Sequence, residues 1–129
     1  MTSSFAAAQN SLVKHINQHE FRAQICDFVQ SPTWKYKGKK PCVIDFYATW
    51  CGPCRTISPF LDKLSVKYKD QIDVYKIDVD KNRDLAQAFG ATSIPLLIFV
   101  PVNGEPQANR GALPEAELEN AIKTVLLKK

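Results

Sequence analysis

The sequence predicts an α/β domain with a central mixed β-sheet flanked by helices on both faces. Three observations predict it. Strand-like runs at residues 42–48, 72–79 and 95–100 alternate with segments of helical period. The run at 42–48 is apolar almost throughout, as a central strand covered on both faces requires. The chain then closes with a strand, an Asn103-Gly104 turn signal, a short strand at 107–110 and a helix, which adds antiparallel pairing. With 129 residues and 45% hydrophobic content, one domain can bury about two-thirds of its unfolded surface. It therefore needs no framework of disulfides to fold. No internal repeat is present.

Residues 1–12 are small and polar and read as a loosely held arm, leaving 13–129 as the folded domain. Residues 13–16 suit a short strand. Asn17 with Glu20 three residues later forms a capping box for a helix carrying Phe21, Ile25 and Phe28, ended by Ser31-Pro32. Residues 34–40, Trp-Lys-Tyr-Lys-Gly-Lys-Lys, read as a solvated loop whose aromatics lean on the domain. They lack the second basic element that an anionic-partner site needs. After Cys54 a helix presents Ile57, Leu61, Leu64 and Tyr68 on one face, with Pro59 expected to kink it. Residues 82–89 suit a short helix closed by Gly90. A final helix from Pro114 buries Leu118, Ala121, Ile122, Val125 and Leu126.

The net charge of +4 is too mild to point to nucleic acid or to a membrane surface. No apolar run reaches the roughly 18 residues of a membrane helix. The first ten residues lack the basic and apolar regions of a signal peptide.

The chemistry concentrates at Trp50-Cys51-Gly52-Pro53-Cys54, between the central strand and the helix. Cysteines three apart on a first helical turn meet the short separation that a disulfide requires. Pro53 suits the first helical position, where its missing N–H removes a donor that had no partner. The remaining free N–H groups and the positive end of the helix then face Cys51 and favour its thiolate. Only a thiolate attacks a disulfide, so the attacking sulfur should be partly exposed. Asp45 is the odd residue of its strand: among Val43, Ile44, Phe46 and Tyr47 a carboxylate is either buried, and then paired or protonated, or faces water from an edge strand. Cys26 and Cys42 sit among apolar residues and read as buried free thiols, with a second disulfide or a regulatory thiol as the alternatives. His15 and His19, four apart, could in principle join Cys51 and Cys54 in a zinc site, though in reversed order and at long separation.

Residues 43–55, Val-Ile-Asp-Phe-Tyr-Ala-Thr-Trp-Cys-Gly-Pro-Cys-Arg, resemble thioredoxin. So do Pro59, Lys76, Ile94-Pro95, Asn103-Gly104-Glu105 and Gly111-Ala112-Leu113. The resemblance implies the thioredoxin fold and a thiol–disulfide oxidoreductase that reduces protein disulfides. It implies Cys51 as nucleophile, Cys54 as resolving thiol and Asp45 as the acid beneath them that takes the Cys54 proton. Lys76 matches the lysine near that acid. Ile94 and a cis-bonded Pro95 would pair with an extended substrate beside Cys51, with Trp50, Gly52, Pro53 and Gly111 completing the substrate-binding surface. The expected partners are disulfide-containing proteins and a reductase or other dithiol electron donor. A monomer is expected, with no cofactor, no metal, no nucleic acid and no membrane insertion. The compartment implied is the cytoplasm, with a periplasmic or exported protein as the alternative. Two departures accompany the match: a longer segment at 31–41, similar to secreted or periplasmic thioredoxins, and Leu96 where threonine is usual. Rival readings are an oxidase or isomerase of the same fold, which resemblance would pair with a histidine between the cysteines; a zinc module; and a non-catalytic partner-binding subunit.

Overall fold

The structure is a computed structural model that describes residues 10–129. Its elements are β1 (Lys14–His15), α1 (Gln18–Gln24), β2 (Cys42–Tyr47), α2 (Gly52–Lys67), β3 (Asp73–Asp78), α3 (Arg83–Ala88), β4 (Leu96–Val100), β5 (Gln107–Arg110) and α4 (Glu115–Ala121). The last helix continues as a wider π turn over Ile122–Leu126. The five strands order as β1-β3-β2-β4-β5. β3 runs parallel to both β1 and β2, while β4 is antiparallel to β2 and β5. The expected mixed sheet is present, with β2 at its centre.

Strand alternation divides the core. Cys42, Ile44 and Phe46 of β2 join Ile98 and Val100 of β4 on one face, under Phe21 and Ile25 at α1 and Leu85 of α3. Val43, Val74, Leu97 and Phe99 take the other face, under Ile57, Leu61 and Leu64 of α2 and Leu118, Ile122 and Leu126. Fully burying each such side chain is worth roughly 1.5–3 kcal/mol. Asp45 follows Val43 by two residues and so shares the α2 face. Leu96, at the start of β4, is buried in the opposite cluster rather than lining the site.

Several elements differ from the sequence expectation. The part of the arm at residues 1–9 lies outside the described residues. Its end is tied down: Ser11 Oγ donates to Asp62 at 2.7 Å, and the Leu12 N–H donates to Ser65 Oγ at 2.9 Å. The Asn17–Glu20 capping box forms, but α1 stops at Gln24, well before Pro32. Asp27 is the physical reason, because its carboxylate accepts from the N–H groups of Val29 and Gln30 and offers the backbone a turn instead of another helical bond. Beyond that turn, the Trp34 and Tyr36 rings stack with centroids 6.4 Å apart. Trp34 also meets Phe89 edge-on, which anchors the basic loop through its aromatics. α2 runs through Pro59 without ending. The Asn103-Gly104 pair lies within a six-residue link (101–106), since Pro101 and Pro106 cannot donate the bonds of a two-residue hairpin. Gly104 there has φ +103°.

Candidate redox site

β2 delivers the chain to the site and α2 starts at it. Cys51 is the N-cap of α2, in extended conformation, and its sulfur accepts the Cys54 N–H at 3.2 Å. One of the helix's free N–H groups is thus satisfied by sulfur, and Pro53 stands in the first turn, at the second helical position behind Gly52 rather than the first. The Cα atoms of Cys51 and Cys54 are 5.3 Å apart and the two sulfurs are bonded as a disulfide. Both cysteines are nearly inaccessible in this state, 4% and 2% exposed. Cys51 is therefore more enclosed than the expected partly exposed nucleophile: its sulfur is bonded to Cys54 and it packs with Ala48 and Ile94. Gly52 and Pro53 remain exposed in front of the pair.

Asp45 lies in the register of β2 opposite Lys76 on one side and Leu97 on the other. It is fully buried, and no donor among the described residues reaches either carboxylate oxygen. Burial pushes its carboxyl up to about 7, with the nearby Lys76 charge pulling the other way. Lys76 is itself buried. Its ammonium donates to Ser58 Oγ at 3.0 Å and sits 4.5 Å from the centre of the Tyr47 ring. Cys54, Ser58, Tyr47 and Lys76 line a common cleft of about 250 Å³.

The Ile94–Pro95 bond is cis, and the Ile94 carbonyl oxygen lies 3.9 Å from the Cys51 sulfur. Gly111 donates its N–H to the Pro95 carbonyl at 2.8 Å. Its φ of +95° requires glycine, and the space where a Cβ would stand is open. Trp50 is 67% exposed, its indole N–H held by Asp80 at 2.8 Å. Of the residues expected at the site, Ile94 meets the Cys51 sulfur, Lys76 shares a cleft with Cys54, Gly111 is tied to Pro95, and Asp45 lies on the central strand. Three neighbours escaped the sequence reading: Tyr47, Asp80 and Ser58. Only Ser58 carried a local signal, standing four residues after Cys54 and hence on the same helix face.

Elsewhere, His15 meets Tyr47 edge-on with centroids 6.1 Å apart, and His19 is exposed in the first turn of α1. Among the described residues no group of three or more His, Cys, Asp or Glu side chains is placed to hold a metal. Cys26 and Cys42 are buried and unpaired. Burial pushes the Cys42 thiol up to about 12. No helix among the described residues is long and apolar enough to cross a membrane.

The family model for Thioredoxin matches residues 12–124. A thioredoxin of Borreliella burgdorferi is 43% identical over 108 residues, covering 84% of this chain and 92% of that protein. A thioredoxin of Haemophilus influenzae is 35% identical over 113 residues, covering 87% and 95%. Among solved structures, chloroplastic thioredoxin z superposes with a TM-score of 0.75 at 24% identity, over 88% of this chain and 93% of that one, a likeness of fold. Matches of this extent run through the whole sheet and both cysteines, so the chain belongs to the thioredoxin family of protein-disulfide oxidoreductases, with Cys51 and Cys54 as its disulfide-forming pair.

Proposed function

We propose that this chain is a general reductant of protein disulfides. The observation that carries the reading is the Cys54 N–H aimed at the Cys51 sulfur, 3.2 Å away at the mouth of α2. That contact favours negative charge on Cys51 in the dithiol state. The Cys51 thiolate attacks one sulfur of the substrate disulfide, and the displaced substrate sulfur leaves as a thiolate that takes up a proton from solvent. The Cys54 thiol then gives its proton to Asp45 and attacks the Cys51 sulfur. The second substrate sulfur is expelled and the Cys51–Cys54 disulfide remains. A donor dithiol reverses that last state.

Support for Asp45 as proton acceptor is its burial beneath α2 and a carboxyl raised to about 7, poised for transfer near neutral pH. Lys76 tunes that acid by charge. Support for substrate pairing along Ile94 and Pro95 is the Ile94 carbonyl beside Cys51, which an extended chain can meet in strand-like fashion. Exposed Trp50, Gly52 and Pro53, with open Gly111, fit a surface over which such a chain lies. Among the described residues the large exposed apolar side chains, Leu12, Val29, Trp50 and Val102, come from separate segments, which suits a monomer. Two unpaired buried cysteines suit a compartment that keeps thiols reduced, and we read the protein as cytoplasmic on that ground. Gly52-Pro53 lacks the histidine of the oxidising relatives that the motif resembles, which favours reduction.

Insulin disulfide reduction tests the reading, once with dithiothreitol and once with a thioredoxin reductase and NADPH. Turnover in both supports it, and turnover with dithiothreitol alone identifies a different donor, as an exported protein would need. No turnover in either overturns it. A measured reduction potential separates reductant from oxidase.

A further inference from the structure

Lys76 and Asp45 face each other across adjacent parallel strands, which stand about 4.8 Å apart. A lysine stem spans that gap easily. Yet neither Asp45 oxygen receives a hydrogen bond, and the ammonium is engaged elsewhere, by Ser58 Oγ at 3.0 Å and by the Tyr47 ring face at 4.5 Å. We propose that Ser58 is a positioning residue for the redox reaction: its hydroxyl, with the Tyr47 ring, holds the Lys76 ammonium short of the Asp45 carboxyl and leaves that carboxyl without a contact ion partner.

Ser58 reaches this place because it follows Cys54 by one helical turn, so α2 lays the serine and the resolving cysteine over the same cleft. A hydroxyl is a weaker acceptor for an ammonium than a carboxylate. Ser58 succeeds through geometry, by lying where the Lys76 stem ends. Remove the hydroxyl and the freed ammonium can turn to Asp45, its register partner on the adjacent strand, and that outcome is what the titration below reads. An opposite charge at contact lowers a carboxyl by about one to three pH units. An Asp45 so lowered would stay ionised through neutral pH and would accept the Cys54 proton less readily. That last consequence rests on the role proposed above for Asp45; the placement of Lys76 does not.

Other charged and titratable groups around the pair are few. Cys54 and Arg55 of α2 share the cleft on the Ser58 side. On the opposite side of Lys76 and Tyr47, a second cleft of about 330 Å³ brings His15 from β1, Glu20 from α1, Asp78 from β3, and Lys81. From β4 the neighbour of Asp45 is apolar Leu97. Among the described residues, Lys76 is the cation whose charge moves the Asp45 carboxyl.

The test is the Asp45 carboxyl titration, followed by carbon-13 NMR in the disulfide form, for wild type, Ser58→Ala, Ser58→Thr, Lys76→Met and Ser58→Ala with Lys76→Met. Thermal melting checks that each variant is folded. Ser58→Ala should lower the Asp45 midpoint by about one pH unit, while Ser58→Thr restores it. In the Lys76→Met background the midpoint should rise, and adding Ser58→Ala should then leave it unmoved. A Ser58→Ala midpoint equal to or above wild type overturns the proposal, as does a fall that persists without Lys76. Because this readout is made on the disulfide form, it is independent of whether Asp45 takes the Cys54 proton. The pH profile of the resolving step decides that separately.

Discussion

Asp45 and Lys76 are register partners on β2 and β3, both buried, and the two charges do not meet. The acid is therefore held in apolar surroundings with only partial compensation. Its native carboxyl, at about 7 against an ordinary 3.8, binds its proton more tightly than in the unfolded chain. The contribution of Asp45 to stability is consequently full below about pH 4, falls as pH rises, and levels off above about pH 7. The gap of about three pH units corresponds to roughly 4 kcal/mol. Asp45→Asn should thus be more stable than wild type at pH 8 by a few kcal/mol, with the difference shrinking towards pH 4. Urea melts across pH measure this. A pH-independent difference would refute it.

The same substitution separates the two chemical steps. Asp45→Asn should leave formation of the mixed disulfide intact while slowing its resolution about a hundredfold near neutral pH. Stopped-flow measurement of the second step is the check, and an unchanged rate removes Asp45 from the mechanism.

Cys51→Ser should abolish insulin reduction, whereas Cys54→Ser should trap the substrate as a mixed disulfide on Cys51. Non-reducing mass spectrometry of each variant with substrate reads the difference. Trapping on Cys54 instead would reverse the assigned roles.

Trp50 is exposed and held only at its indole N–H by Asp80. Trp50→Ala should raise the KM for protein substrates roughly fivefold, equivalent to about 1 kcal/mol. Its effect on stability should stay within about 0.5 kcal/mol. A KM unchanged in steady-state assays would leave Trp50 outside the substrate surface.

Gly38 carries a structural constraint that its sequence context hides. A Cβ at this position would collide with the phenol end of Tyr36, which is stacked on Trp34 and bonded to the Lys40 carbonyl. Gly38→Ala should cost about 1–3 kcal/mol, read as a lower denaturation midpoint with reductase-linked activity retained. A neutral effect would mean that the ring yields freely.

Cys26 and Cys42 should resist alkylation in the native protein and appear as two free thiols when the oxidised chain is unfolded, since both are buried and unpaired. The Cys42 thiol, pushed up to about 12 by burial, has almost no thiolate at neutral pH. Rapid native labelling of either cysteine would contradict their burial.

The mixed α/β sheet and the cysteine pair at a helix mouth were legible in the sequence, because each depends on spacing along the chain. Apolar alternation sets the strands and i to i+3 spacing sets the disulfide, while a carboxyl among strand-forming apolar residues is either buried or on an edge strand, a choice that the resemblance to thioredoxin made. The early end of α1 was not legible, since it turns on Asp27 choosing nearby N–H groups over continued helix. Neither was the partner of Lys76. Sequence places that lysine on a strand, and only the resemblance puts it near the acid; its ammonium ends on Ser58, from a helix laid across the sheet, and on the ring of Tyr47. A long flexible side chain takes its partner from whatever the packed layers bring within reach. That choice is a property of three-dimensional packing, and it decides how much charge the buried carboxyl of Asp45 feels.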